Sequence, residues 1–497
     1  MSNLLVGLDI GTSAVKAVLF DLQGEALATH HEPLVVYAPE PGWAEQDPQQ
    51  WWQGAQAALR DVLTGIDGGS VAAVGLCGQC PSHVLVDESG QALGRAIIWR
   101  DRRARAEAEW IGTHVSAGQA EQWTGSAVLA DASLPPARLR WLQAHRAEDW
   151  ARTKAVIQPK DYVGLKLTGK LATDIHSAFS LADPGSGSYC PDYFEALKLP
   201  MDKLPPTMPP TGVLGEVNRE AAALTGLAYG TPVVAGTIDA WCDTVGSGGA
   251  VVGTAVDVAG TSEIISLATD RRVHGQGIFL AELGPEVRFL CGPTQAGGGS
   301  LRWLAEAFYT ETSGAESFRR LEADAAAVPA GSEGLIFLPY LDGERAPIWD
   351  PTARGGLVGL TLSHNRRHMA RAVYEGVAYS VRHVLETCEK IAETSAERVI
   401  ACGGGSRSQF WNQVKADVLQ RPVVPSVVRE ASCLGAAILA AVGVGRHESL
   451  LAASRNMVRP GKAVRPNPET KICYERNYAA YRELYHALRP VYQLQSA

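Results

Sequence analysis

The chain has 497 residues, of which 46% are hydrophobic and 20% are charged, and its formal net charge is −8. This length exceeds what one hydrophobic core usually organises, so we expect two large domains. The acidic balance, without a dense block of Lys and Arg, argues against nucleic acid as a partner. Nine cysteines, an odd number, fit a reducing compartment.

The N-terminus lacks the basic segment and long apolar segment of a signal peptide. The most apolar late stretch, Cys433 to Gly445, is short, rich in Gly and Ala, and flanked by charges. It predicts a buried helix rather than a membrane span. We therefore expect a cytoplasmic protein that does not attach to a membrane.

Three short apolar runs open the chain, over 4–8, 14–20 and 25–30, and tight turns separate them. This pattern predicts a meander of strands. The first turn, Asp9 to Ser13, combines a carboxylate, a glycine and two hydroxyls. Glycine lets backbone N–H groups approach an anion, and a carboxylate at a strand end can hold hydrated Mg²⁺. We predict a phosphate-binding loop here, of a different kind from GxxxxGK[ST].

Helical and strand patterns alternate through the rest of the chain, which predicts the α/β class. Helices are predicted over 51–63, 104–111, 138–144, 300–308, 368–391, 409–419 and 474–488, and strands over 71–76, 84–87, 231–236 and 399–401. Residues 183–212 are predicted as a loop region, and Asp239 is predicted to lie in a polar turn. Cys77-Gly78-Gln79-Cys80 follows a strand without the surroundings of a redox or zinc motif, so neither role is favoured.

The phosphate-binding pattern recurs once. Asp257, Gly260, Thr261 and Ser262 follow one another between apolar runs, about 250 positions after the first copy. Each loop alone could be an ordinary turn, but two copies predict two related domains that face each other across one nucleotide. A glycine-rich segment from Gly246 precedes the second copy, so we predict domains over 1–245 and 246–497.

Several motifs in the same order resemble those of the FGGY family of carbohydrate kinases. Residues 41–48 and the following Trp51-Trp52 resemble the family's PGWxEQDPxxWW segment. Residues 355–375 have the spacing of its C-terminal signature. Residues 133–142 match its N-terminal signature imperfectly, since Arg138 replaces the usual Lys.

The resemblance implies two actin-like (ribonuclease H-like) domains with a nucleotide and sugar cleft between them. It also implies ATP-dependent phosphorylation of a hydroxyl on a small sugar or polyol, with ATP and Mg²⁺ as cofactors. In this family Asp9 would organise Mg²⁺ through water. The implied nucleotide contacts are glycines, hydroxyls and basic residues of both domains: Gly11, Thr12, Ser13, Lys16, Gly260, Thr261, Gly298, Arg302, Gly404, Gly405 and Ser408.

The resemblance also implies that Asp239 is the catalytic base, because family members place that Asp seven residues before a glycine, as Asp239 stands before Gly246. It would accept the proton of the attacking hydroxyl, while positioning and charge neutralisation supply most of the acceleration. Asp243 is a nearby rival that lacks this spacing. A turn or cap residue is the structural alternative.

The resemblance also implies a sugar-binding site around Asp239. Its residues are polar or aromatic side chains together with two loop residues: Gln79, Cys80, Pro81, His83, Trp99, Asp101 and Trp241. Each has a structural alternative. The two tryptophans could be core residues, and Asp101 could pair with Arg102 or Arg103. His83 and His176 could be ordinary structural histidines.

The sugar loop departs from better-known members of the family. After the Gln that corresponds to Gln79, xylulokinases carry Met-His and glycerol kinases carry Arg-Glu, whereas this chain has Cys80-Pro81. The residue after Asp239 is a further departure, since it is Ala240 here. We therefore predict that neither D-xylulose nor glycerol is the best substrate. A xylulokinase proper, an actin-like or chaperone-like ATPase and a non-catalytic sugar sensor stay as alternatives. The oligomeric state is open, with a homodimer as one candidate.

Overall fold

The computed structural model of the chain describes residues 3–125, 131–183, 185–273, 275, 277–284 and 286–496. These residues form two compact units. Unit 1 comprises Met1–Ala250, Leu280–Arg288 and Val428–Arg459, and unit 2 comprises Val251–Phe279, Phe289–Val427 and Pro460–Ala497. Within the described ranges, every helix is too short or too polar to cross a membrane.

The strands are β1 (Leu4–Ile10), β2 (Ala14–Asp21), β3 (Ala26–Pro33), β4 (Glu45–Gln46), β5 (Val71–Gly78), β6 (Val84–Val86), β7 (Ala96–Ile97), β8 (Ala155–Ile157), β9 (Thr173–Asp174), β10 (Thr207–Met208), β11 (Val213–Glu216), β12 (Pro232–Ile238), β13 (Thr254–Ala259), β14 (Glu263–Thr269), β15 (Phe279–Gly284), β16 (Val287–Pro293), β17 (Ile336–Leu338), β18 (Gly356–Val358), β19 (Arg398–Cys402) and β20 (Val423–Pro425).

The helices are α1 (Pro48–Val62), α2 (Arg105–His114), α3 (Ala117–Thr124), α4 (Pro135–His145), α5 (Ala147–Arg152), α6 (Pro159–Thr168), α7 (Pro191–Ala196), α8 (Arg219–Thr225), α9 (Asp239–Gly246), α10 (Gly298–Phe308), α11 (Ala315–Ala326), α12 (Arg366–Ala392), α13 (Gln409–Leu419), α14 (Ala431–Gly443), α15 (Leu450–Met457) and α16 (Lys471–Ser496). Short 3₁₀ helices cover Gly68–Ser70, Ser332–Gly334, Gly404–Arg407 and Pro468–Thr470.

Unit 1 is organised around a six-stranded sheet in the order β11-β12-β5-β1-β2-β3. The predicted meander is confirmed, because β1, β2 and β3 pair antiparallel in sequence order. Strands β5 and β12 continue the sheet in parallel with β1. Strands β1 and β5 are almost continuously apolar, as expected where both faces of a parallel sheet are covered.

Helix α14 covers one face of this sheet at very short range. A Cβ atom on Gly7 would lie 1.9 Å from the carbonyl oxygen of Cys433, and one on Gly75 would lie 1.9 Å from that of Ala436. Glycine therefore lets the helix backbone rest directly on β1 and β5. The prediction of a buried helix in this late stretch is confirmed.

Unit 2 contains the strand series β16-β14-β13-β19-β20. Strand β14 is antiparallel to β13, whereas β19 and β20 run parallel to it. The corresponding series in unit 1 is β3-β2-β1-β5-β12, with the same directions around β1 and β5. The α/β class with two related domains is thus confirmed, while the exact boundary at 245 stays a prediction.

Two local predictions were wrong. Asp239 lies at the first position of α9 rather than in a turn, and the predicted loop region contains α7 and β10. An Asp that follows a strand is typical of a turn, but a carboxylate is equally favourable in the first turn of a helix, where backbone N–H groups are free. The sequence pattern alone does not separate these two cases.

Candidate active site

Three neighbouring parallel strands of unit 1 end at the same level. In the register, Ile10 of β1 and Ile238 of β12 both pair with Gly78 of β5. The residues that follow are Gly11, Gln79 and Asp239. The carboxyl ends of parallel strands are the usual place for ligands in α/β sheets, so this edge is the candidate active site.

Asp9 lies at this edge with one free oxygen. The side chain is buried, and its Oδ2 accepts a hydrogen bond from Ser432 Oγ at 2.9 Å. Its Oδ1 is buried without a hydrogen-bond partner among the described residues. An orphaned carboxylate oxygen fits a hydrated divalent cation. In the described part of the chain, no group of three or more His, Cys, Asp or Glu could hold a metal, so water and phosphate would supply most ligands.

Lys16 supplies the positive charge next to Asp9. Its Nζ is 3.8 Å from Asp9 Oδ2 and 3.2 Å from Glu430 Oε2. Burial lowers the pKa of Lys16, but the two carboxylates outweigh it and the net shift is upward. The ammonium group therefore stays a cation on β2, next to the first loop. Almost a third of the Lys16 side chain is still exposed.

Asp239 and Asp243 lie in the field of Asp9. Burial, then the charges of Asp9 and Asp243, raise the pKa of Asp239 well above its ordinary value. Burial and Asp9 likewise raise the pKa of Asp243 to about 7. Asp239 Oδ1 accepts a hydrogen bond from Ala240 N at 2.8 Å, which fixes the carboxyl group at the start of α9. Carboxylates with raised pKa values are typical of catalytic bases.

The first loop is joined to the predicted sugar-binding residues through Thr12. The indole N–H of Trp99 donates to Thr12 Oγ1 at 2.9 Å, and Thr12 Oγ1 donates to Gln79 Oε1 at 3.2 Å. The amide of Gln79 also donates to Gly11 O at 3.1 Å. The structure thus brings Gly11, Thr12, Gln79 and Trp99 together.

Gln46 supports this loop, and no role for it was predicted. Its amide donates to Thr12 O at 2.7 Å, and its Oε1 accepts from Gln79 Nε2 at 2.6 Å and from Trp51 Nε1 at 3.1 Å. The side chain is almost completely buried. The Gln lies within the PGWxEQDP-like segment, so the motif marked the position, but only the fold shows what it touches.

Hydrogen bonds with buried side chains hold the loop that carries Cys80 and Pro81. Arg138, fully buried, donates to Pro81 O at 2.6 Å and to Trp99 O at 2.8 Å. Gln158 Oε1 accepts from Ser82 N at 2.8 Å. The Arg that replaces the family's usual Lys therefore holds two parts of the candidate sugar site, a role that its sequence position alone does not predict.

Cys80 lies near two carboxylates. Burial, then the charges of Asp174 and Asp239, raise the pKa of the Cys80 thiol. Asp174 is completely buried, where it pairs with Lys160 Nζ at 3.0 Å and accepts from Thr237 Oγ1 at 2.8 Å. This buried ion pair supports the end of β12, just before Asp239. Nothing in the sequence distinguishes it from surface charges.

Two predicted sugar-binding residues, Asp101 and Trp241, face the protein interior. The carboxylate of Asp101 is fully buried, pairs with Arg103 Nη2 at 2.7 Å and accepts from Ala44 N at 2.6 Å. Trp241 is buried on α9, with its ring centroid 6.4 Å from that of His176. The alternatives given above, ion pairing and core packing, describe these contacts, so both are left out of the proposed sugar site.

His83 is also buried, and it lines a cavity of about 20 Å³. Neither ring nitrogen has a hydrogen-bond partner among the described residues. Burial and Arg138 lower the pKa of His83 to about 3. The cavity is large enough for one water molecule, which would satisfy a ring nitrogen, so His83 has a structural environment.

In unit 2 the second loop lies against the start of α10. Gly298 N donates to Gly260 O, and Gly299 N donates to Thr261 O, both at 2.9 Å. Arg302 is exposed one helical turn further along α10. The structure therefore brings Gly260, Thr261, Gly298 and Arg302 together at the end of β13.

The glycine-rich segment after β19 reaches the same end of the sheet. Strands β13 and β19 are parallel, with Val258 paired with Cys402. Gly403 has φ +78°, and a Cβ atom there would lie 2.6 Å from Ala259 O. A Cβ atom on Gly404 would meet nothing within 4 Å, so this position is open to a ligand. Gly405 packs closely on Trp411.

Ser408 has a capping role. Its Oγ accepts from Trp411 N at 2.9 Å as the N-cap of α13 and donates to Glu322 Oε2 at 2.6 Å. A nucleotide contact would have to compete with these bonds. Of these predicted nucleotide contacts, the neighbouring Gly404 and Gly405 are therefore better supported than Ser408.

A buried ion triad lies beneath the second loop. Lys415 Nζ of α13 is 2.5 Å from Asp257 Oδ2 and 2.8 Å from Glu263 Oε1, and all three side chains are almost completely buried. Asp257 and Glu263 flank the loop on β13 and β14. Burial and Asp257 raise the pKa of Glu263. The second Asp of the repeated pattern is thus paired with a lysine inside the protein.

Comparison with known proteins places this geometry in a family. The models of the N-terminal and C-terminal domains of the FGGY family of carbohydrate kinases match residues 4–246 and 255–444. The chain is 31% identical over 514 residues to the L-xylulose/3-keto-L-gulonate kinase of Escherichia coli (strain K12), covering 98% of both chains.

Two solved structures have nearly the same fold. The xylulose kinase from Rhodospirillum rubrum superposes with a TM-score of 0.91 at 33% identity, covering 99% of this chain and 100% of the other. The gluconate kinase from Lactobacillus acidophilus superposes with a TM-score of 0.90 at 28% identity, covering 99% of both chains.

Proposed function

The chain belongs to the FGGY family of carbohydrate kinases, and from this premise we propose that the strand ends of unit 1 carry its chemistry, with Asp239 as the catalytic base. The reaction is the ATP-dependent phosphorylation of a sugar hydroxyl. The observation that carries the proposal is the common level at which β1, β5 and β12 end, next to Gly11, Gln79 and Asp239.

Asp239 would accept the proton of the attacking hydroxyl. Its raised pKa makes it a stronger base than an ordinary carboxylate, and the bond from Ala240 N holds it in one orientation. Trp99 is partly exposed at the same edge and would orient the sugar beside it. Gln79 is buried with its amide engaged, so it would hold the first loop in position. Asp243 is one helical turn away on α9, and we assign it the role of raising the pKa of Asp239.

The first loop would bind the transferred phosphate. Gly11 lets the phosphate approach the backbone closely, Thr12 and Ser13 carry hydroxyls, and Lys16 carries a fixed positive charge. Asp9 would hold Mg²⁺ through its free Oδ1 and intervening water. When bound, Mg²⁺ neutralises charge on the phosphate oxygens. In unit 2, Gly260, Thr261, Gly298, Arg302, Gly404 and Gly405 would bind the rest of ATP.

We expect Asp9→Asn to raise the Mg²⁺ concentration that gives half-maximal activity by about 10–100-fold. This is the usual effect of losing an outer-sphere metal partner. Titrating MgCl₂ at fixed ATP, with sugar saturating, measures the change. Glu430→Gln is the matched control, because it removes one negative charge from Lys16 without touching the free oxygen. An equal shift in both variants, or a loss confined to sugar affinity, would contradict the assignment of Asp9.

For the substrate, we propose a ketose or sugar acid other than D-xylulose. Pro81 has no side-chain donor and the Cys80 thiol is a weak one, so this loop lacks the contacts that xylulokinases and glycerol kinases make here. Most of the similar proteins are named xylulose kinase, but others are named for L-xylulose, 3-keto-L-gulonate or gluconate, so proteins this similar act on several substrates. A site without the matching polar group gives up recognition of that hydroxyl.

A coupled ADP-release assay tests this proposal. We expect kcat/KM to be higher for L-xylulose, 3-keto-L-gulonate or gluconate than for D-xylulose and glycerol. The Cys80-Pro81 loop is then responsible if Cys80→Met with Pro81→His raises kcat/KM for D-xylulose relative to the others. Highest efficiency with D-xylulose in the unaltered enzyme would contradict the substrate proposal but leave the role of Asp239 intact.

A further inference from the structure

A second cavity, of about 330 Å³, lies within unit 2 and is lined mainly by side chains of α12 and α16. None of the residues assigned above to ATP, Mg²⁺ or sugar lines it. Its size is that of a small-molecule site. The established reaction gives this cavity no role, so its chemistry has to be derived from the residues on its wall.

Four basic side chains line the cavity: Arg482, Arg489, His383 and His486. Neither arginine forms an ion pair with any described residue. Arg482 has one weak polar contact, from Nη1 to Tyr478 Oη at 3.4 Å. Burial, then the neighbouring Arg482 and His486, lower the pKa of His383 to about 3. The positive charge on the wall therefore comes from Arg482 and Arg489, which no described carboxylate neutralises by an ion pair.

Two acidic side chains that bond to tyrosines of α16 already have partners. Asp350 accepts from Tyr485 Oη at 2.9 Å with Oδ2 and from Thr352 with Oδ1. Glu386 accepts from Tyr478 Oη and pairs with Arg382 at 2.8 Å. The guanidinium groups of Arg482 and Arg489 are thus available to an anion. Arginine is the side chain best suited to bind a phosphate with two parallel hydrogen bonds.

Aromatic rings form another part of the wall. Tyr340 Oη donates to Tyr481 Oη at 2.7 Å, and the ring centroids of Tyr340 and Tyr485 lie 6.1 Å apart in an edge-to-face arrangement. These contacts fix the rings. A rigid aromatic surface beside hydroxyl and guanidinium groups suits a ligand with a carbon skeleton and an anionic end.

We propose that this cavity binds a small phosphorylated sugar, with Arg482 and Arg489 on the phosphate and the tyrosines against the carbon skeleton. Carbohydrate kinases make compounds of this class, so a ligand of the right chemistry forms wherever this protein is active. The cavity is separate from the residues assigned to catalysis. The site would therefore let sugar phosphates associate with the enzyme independently of turnover.

Isothermal titration calorimetry with ribose 5-phosphate tests the proposal. We expect binding to the unaltered protein, and a dissociation constant at least about tenfold higher in Arg482→Gln/Arg489→Gln, since each lost charge-assisted bond weakens binding. Arg476→Gln, an exposed arginine on α16 that does not line the cavity, is the matched control and should bind as the unaltered protein does. Turnover and melting temperature should be unchanged in all three.

Competition separates this site from the kinase site. Inhibition of the reaction by ribose 5-phosphate competitive with sugar reports on the kinase site, and the double variant should leave it unchanged. Equal affinity of the double variant and the unaltered protein, or no binding to either, would overturn the proposal. Equal affinity for inorganic phosphate and ribose 5-phosphate would overturn the assignment of the tyrosines to a sugar.

Discussion

Asp239→Asn is expected to lower kcat by about 10²–10⁴-fold, the usual contribution of a positioned general base. Asn is nearly isosteric and can still accept the bond from Ala240 N, so α9 should begin at the same place. What it cannot do is take a proton. Steady-state kinetics with saturating sugar and ATP measure the loss, and nucleotide affinity should be largely kept.

The pH profile separates Asp239 from Asp243. Because the pKa of Asp239 is raised, its basic form is lost as the pH falls through that value, and kcat/KM should decline there rather than in the ordinary carboxylate range. Asp243→Asn removes a neighbouring negative charge, so the decline should move to lower pH while turnover is kept. If Asp243→Asn abolishes turnover and Asp239→Asn does not, Asp243 is the base.

Lys415→Met is expected to reduce the free energy of unfolding by about 3–5 kcal/mol, because it leaves two carboxylates buried without their cation. The side chains of Lys415, Asp257 and Glu263 are almost completely buried, so water cannot replace the lost interaction. Such a loss is a large part of the stability of a typical domain. Urea unfolding of the Lys415→Met variant and of the unaltered protein measures this difference in the free energy of unfolding.

Lys390→Met is the matched control, since Lys390 is exposed on α12 of the same unit. Its effect should stay within about 0.5 kcal/mol. Adding Asp257→Asn and Glu263→Gln to Lys415→Met should recover part of the stability, because the triple variant buries no charge. A loss below about 1 kcal/mol for Lys415→Met alone would show that the triad is weakly coupled.

The fold was largely predictable because its signals are local or repeated. Helix α13 has the predicted bounds, Gln409–Leu419, since a Ser cap and an amphipathic pattern define them. The second phosphate-binding pattern predicted the duplicated sheet. The path of 183–212 and the start of α9 were not predictable, because Pro and Asp are compatible with turns and with helix starts alike.

The site was less predictable than the fold. The loop residues Gly11 and Thr12 and their neighbour Gln79 came from motifs, and the structure brings them together. Gln46 and Arg138 act through contacts with residues more than thirty positions away, which no local pattern specifies. Asp101 was placed in the sugar site by its neighbourhood in sequence, although its carboxylate is enclosed by protein donors.

The close contact between α14 and the first sheet affects how the chain can fold as it is synthesised. Gly7 and Gly75 are made early, whereas the backbone that rests on them belongs to residues after 430. During translation α14 therefore cannot cover this face of β1 and β5 until nearly the whole chain has been synthesised. The N-terminal half matches a family model of its own, yet it cannot complete its core alone. Loss of the late residues that form α14 would therefore leave the first sheet without its cover.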